Sequence, residues 1–96
     1  MFGFDHSVPN KEVNNEMGLK EYEPCNFLEI LAFGQKYPEL QRQFPVVALK
    51  AMARSYGRLS VAVLTVNITN KNKRSLELFG LYGLWHKNYR FLGVKK

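Results

Sequence analysis

The sequence predicts an α+β fold, with two to three N-terminal helices packed on a three-stranded antiparallel β-meander. Three observations predict it. Helix-start signals fall between Pro24 and Gly57, and Val/Ile/Thr-rich runs follow from Leu59 onward. At 46% hydrophobic and 14% aromatic residues, the 96-residue chain can form a core.

Residues 1–23 read as a mobile acidic tail. They are polar, carry Gly, Pro and Asn, and show no helical or strand period over a useful window. Residues 24–96 are expected to form a single α+β domain. Asn26 is a favoured N-cap, and Glu29 three residues on completes a capping box. The run "FLEILAFGQKY" follows, with apolar residues over most of its circumference, so this helix is expected at the centre of the core. Tyr37-Pro38 ends it, because a residue before proline avoids the α region. "PELQRQF" suits a short second helix with Pro38 at its first position. "PVVALKAMARSYG" suits a third, with Gly57 as its C-terminal stop.

"RLSVAVLTVNIT" is the first expected strand, "NKNKR" a turn, "SLELFGLYGLW" the second strand and "YRFLGV" the third. The second strand is apolar on both faces, which marks a central strand or one whose second face meets another body. Val61, Val63, Phe79, Leu81 and Trp85 share the face that the helices would leave open. A second copy of the chain is the expected cover, giving a homodimer; the alternative cover is the tail folded back.

Charge is unevenly divided. Residues 1–48 hold four cations against seven carboxylates, net −3; residues 49–96 hold ten cations against Glu77 alone, net +9. Such asymmetry points to an anionic partner for the basic half. Lys50, Arg54 and Arg58 form one expected nucleic-acid-binding cluster, and Lys71, Lys73 and Arg74 a second, with Lys87 and Arg90 beside them. Three helices followed by a β-hairpin is an order that resembles winged-helix DNA-binding domains, in which a third helix enters the major groove. The resemblance would give that role to the helix bearing Lys50 and Arg54. "LFGLYGLW" resembles, at a distance, the RNP1 segment of RNA-recognition motifs, without the βαββαβ order of that fold.

Phe79, Trp85, Tyr89 and Phe91 are the aromatic candidates. They can stack bases, anchor a protein partner or simply pack against the helices. The leading expectation is a small non-enzymatic nucleic-acid-binding protein. The alternative is an interaction module that binds an acidic protein surface through its aromatic sheet.

Catalysis is poorly supplied. His6 and His86 are the two histidines, and the basic half has one carboxylate. No nucleophile–base pair or set of metal ligands suggests itself by spacing, so no enzyme activity, metal or cofactor is expected. The single cysteine, Cys25, cannot form an internal disulfide, which fits a reducing compartment. With no signal-peptide pattern and no apolar run of spanning length, a cytoplasmic location away from membranes is expected. The "NIT" triplet at Asn67 is taken as a chance glycosylation match.

Overall fold

A computed structural model describes residues 1–55, 57–66, 73–81 and 83–96. The expected "NKNKR" turn, with Lys71 in it, and the "NIT" triplet fall largely or wholly outside these residues. The fold is mixed α+β, with three helices and a mostly antiparallel sheet among the described residues. In chain order the elements are β1 (Phe2–Gly3), α1 (Asn10–Leu19), β2 (Tyr22–Pro24), α2 (Phe27–Lys36), α3 (Leu40–Gln43), β3 (Val46–Ser55), β4 (Arg58–Val66), β5 (Arg74–Gly80), β6 (Arg90–Phe91) and β7 (Gly93–Lys95). One sheet runs β1-β6-β3-β4-β5, and β2 pairs separately with β7.

The largest correction concerns residues 46–55. The expected third helix is a strand, so the winged-helix order is absent and no helix carries Lys50 or Arg54. Val46, Val47 and Ala48 are consecutive and all fully buried. A surface helix cannot bury three residues in a row, but a strand covered on both faces can. Pro45 and Gly57 punctuate a strand and its turn as readily as a helix; Gly57 holds a positive φ of 76° where β3 turns into β4. Between Ala48 and Met52 the pairing with β4 shifts register, a bulge that breaks the period-two pattern.

A three-stranded antiparallel meander does exist, but it is β3-β4-β5. The expected third strand lies elsewhere. After Gly80 the chain leaves the sheet edge, crosses one face and returns beside β3, where β6 pairs parallel through Val46–Arg90 and Val47–Phe91.

The crossing closes a core on that face. Val47, Leu49, Val61, Val63, Trp85 and Phe91 pack with Val8, Val13 and Met17 from the N-terminal segment. Residues 1–23, expected as a tail, therefore contribute β1, α1 and most of β2. Phe2 pairs with Phe91, and Val8 and Trp85 exchange backbone hydrogen bonds at 3.0 and 2.8 Å. The cover expected from a second copy is thus supplied within the chain, by the N-terminal segment folded back.

Cys25, Ile30, Val46, Ala48, Ala62 and Leu64 form the core of the opposite face, beneath α2. The capping box is present: Glu29 N–H donates to Asn26 Oδ1 and Asn26 N–H to Glu29 Oε1, both at 2.9 Å. This helix is not central. Ile30 and Gly34 are buried, whereas Leu28 and Leu31 stand exposed. Gly34 permits its close approach, since a Cβ there would lie 3.1 Å from Leu64. Among the described residues no helix is long and apolar enough to cross a membrane.

Candidate nucleic-acid interface

The basic residues divide between the two ends of the sheet. Arg58 begins β4, and Val66, which pairs with Arg74, ends it. Eight residues at ~3.3 Å each separate the two positions by about 26 Å. The two expected clusters therefore form two sites rather than one continuous surface.

The first site is the β3–β4 hairpin. Beyond Ala48, β3 has no neighbouring strand on its outer side among the described residues. Only Lys50 N–H is engaged there, donating to the Cys25 carbonyl at 3.0 Å. Lys50, Arg54 and Arg58 are exposed, and their side chains have no ion-pair or hydrogen-bond partner among the described residues. Arg54 pairs with Leu59 and Ser55 with Arg58, which sets the two arginines on opposite faces near the tip. No carboxylate occurs between Glu39 and Glu77, so nothing on either strand offsets this charge. Exposed Met52 and Leu59 accompany the cations.

The second site is partly committed to holding the fold. Arg74 donates through a guanidinium nitrogen to the Gly34 carbonyl at 3.1 Å. That carbonyl belongs to the last turn of α2 and lacks an intrahelical partner, so Arg74 caps the helix. Buried Gln41 on α3 ties the same end together, donating to the Thr65 carbonyl at 2.7 Å and the Ser75 carbonyl at 3.2 Å. Its polar side chain carried no sequence signal of this role. Lys73 is exposed beside Arg74. Arg90 is half-buried, with its guanidinium 4.8 Å from the Phe44 ring centre and bonds to the Lys87 and Tyr89 carbonyls. Lys87 is exposed and helps hold the neighbouring Asp5 carboxyl below its usual range, a shift caused mainly by the His6 hydrogen bond.

The aromatic candidates are not a flat stacking face. Trp85 and Phe91 are 7% and 1% exposed and belong to the core. The Trp85 indole N–H donates to Asn10 Oδ1, and Asn10 Nδ2 donates to the Leu81 carbonyl, pinning the crossing segment to the start of α1. Phe79 and Tyr89 are half-buried against that core. Together with Gly80, Leu84, Trp85 and His86 they line a cleft of about 280 Å³. All six lie within residues 79–89, but a strand pattern run through to Trp85 hides the cleft, which forms because the chain leaves the sheet after Gly80.

Cys25 is fully buried, and desolvation pushes its thiol up to about 11. His6 lies in the N-terminal segment, bridging Asp5 at 2.7 Å and Glu12 at 3.2 Å; the hydrogen bond to Asp5 and then that to Glu12 raise its pKa. Among the described residues the His86 ring hydrogen-bonds only its near neighbour Asn88. No protein-family model matches the chain, and no curated protein or solved structure is significantly similar to it.

Proposed function

We propose that this chain is a non-enzymatic nucleic-acid-binding protein whose β3–β4 hairpin meets the phosphate backbone. One observation carries the reading: three exposed cations whose side chains have no partner among the described residues stand on a hairpin arm that contains no carboxylate. Cations in that setting neutralise phosphates and release counterions. Positions on both faces of the tip suit a ribbon that straddles a backbone or enters a groove. Lys73 supplies a further contact for a longer strand, and Arg74 is reserved for its helix cap.

The test is retention of nucleic acid by the purified chain at low salt, compared with a Lys50→Ala/Arg54→Ala/Arg58→Ala variant of unchanged circular dichroism. Loss of retention in the variant supports the reading. Unchanged retention refutes it. A second reading, a protein-interaction module, is favoured by the exposed apolar Leu28 and Leu31 on α2 rather than by the aromatic sheet, whose Trp85 and Phe91 are buried. Recovery of a stoichiometric protein partner from nuclease-treated lysate, lost on Leu28→Ala/Leu31→Ala, would favour it instead.

A further inference from the structure

The cleft at the end of β5 has walls made of rings that fix one another. Phe79 meets Tyr89 edge-to-face at 6.2 Å, and Trp85 meets Tyr89 at 5.3 Å. Such contacts orient rings as well as bury them. Tyr89 and His86, both lining residues, also carry polar groups. The Tyr89 hydroxyl and His86 Nε2 have no hydrogen-bond partner among the described residues. Burial holds the Tyr89 phenol above its ordinary value, so its hydroxyl keeps the proton and can both donate and accept. Aromatic walls with a few free polar atoms are the usual make-up of a small-ligand site. At about 280 Å³ the space is just under the roughly 300 Å³ at which such sites begin, enough for one planar ring system.

Position names the ligand. The sheet register sets Phe79 beside Val61, and Val61 beside Met52. Arg54 is on the same face, two residues nearer the hairpin tip. Two strands across and two residues along amount to about 12 Å between the Phe79 and Arg54 α-carbons. An arginine reaching back covers much of that, so a phosphate at its guanidinium lies within a nucleotide of the cleft. Duplex bases are paired and stacked, and only an unpaired or extruded base can enter such a space. We infer that the cleft takes one unpaired nucleobase of a single-stranded nucleic acid whose phosphate Arg54 holds. This inference rests on the phosphate reading of the hairpin.

The full chain reports on the site directly, because Trp85 is its one tryptophan. Fluorescein-labelled single-stranded 12-mers are titrated by anisotropy, with bases intact or replaced throughout by abasic sugars. Trp85 emission is followed with unlabelled copies and with free adenosine. The inference expects the abasic strand to bind at least tenfold more weakly, and Trp85 emission to change saturably with the base-bearing strand and with adenosine. His86→Ala and Tyr89→Phe, which leave the ring packing in place, should weaken the intact strand two- to tenfold and leave the abasic strand unaffected. Equal binding of both strands with unchanged Trp85 emission overturns the base site and leaves the phosphate reading standing. If neither strand binds at low salt, the phosphate reading fails and the inference falls with it as stated; an adenosine response would then support only an isolated ring-binding cleft.

Discussion

Removing residues 1–23 should abolish folding. Val8, Val13 and Met17 lie in the removed segment, each at most 1% exposed. Full burial of side chains of this kind contributes about 1.5–3 kcal/mol each, or about 5–9 kcal/mol for the three, an upper estimate because unfolded chains are partly compact. A chain of this length typically has about 5–14 kcal/mol of total stability. The deletion also removes the pairings of β1 with β6 and β2 with β7. Residues 24–96 alone should therefore show no cooperative urea transition, and Trp85 should emit as in the unfolded chain. Met17→Ala in the full chain is the graded version. It should cost about 2–5 kcal/mol and, at an m-value of about 1.5 kcal/mol/M, lower the urea midpoint by roughly 1–3 M. If residues 24–96 unfold cooperatively at the full-length midpoint, and Met17→Ala is neutral, the segment is a tail after all and the packing argument is wrong.

Other expectations follow from single features. Three phosphate contacts from Lys50, Arg54 and Arg58 predict a slope of log affinity against log salt of about −2.1 for single strands and −2.7 for duplex DNA. Arg58→Ala should make either slope shallower by roughly 0.7–0.9 in a salt-titrated anisotropy assay, whereas Lys11→Ala on α1 should not change it. Asn26→Ala removes half of the capping box and should cost ~1 kcal/mol in urea unfolding. The Cys25 thiol, buried and raised to about 11, should resist a disulfide reagent at pH 8 in the native chain and react promptly in urea.

Local signals in the sequence were readable where one segment decided its own structure. Asn26 and Glu29 announced α2, and "SVAVLTV" announced β4, because capping and β-branched runs act over a few residues. Residues 46–55 misled because Val46, Leu49 and Ala53 share a helical face on paper, while the bulge at 49–51 erased strand alternation. The N-terminal segment was missed for another reason. Its buried contribution from α1 is Val13 and Met17, one turn apart in an otherwise polar helix. Pairing across the chain, such as Phe2 with Phe91, leaves no short-range trace. The candidate site divided likewise. The hairpin cations were legible as charges, but their separation from Lys73 and Arg74 depended on the sheet. The burial of Trp85 depended on a crossing that no local pattern records.

The pairing of Phe2 with Phe91 joins positions 89 residues apart, so the second partner is made long after the first. During synthesis, Phe2 must wait for Arg90 and Phe91 before its strand can pair. Closure of such distant contacts is slow compared with local helix formation. Nascent chains stalled before residue 90 would therefore display sticky aromatic surface to chaperones, and resistance to proteases would arise only once β6 and β7 have left the ribosome.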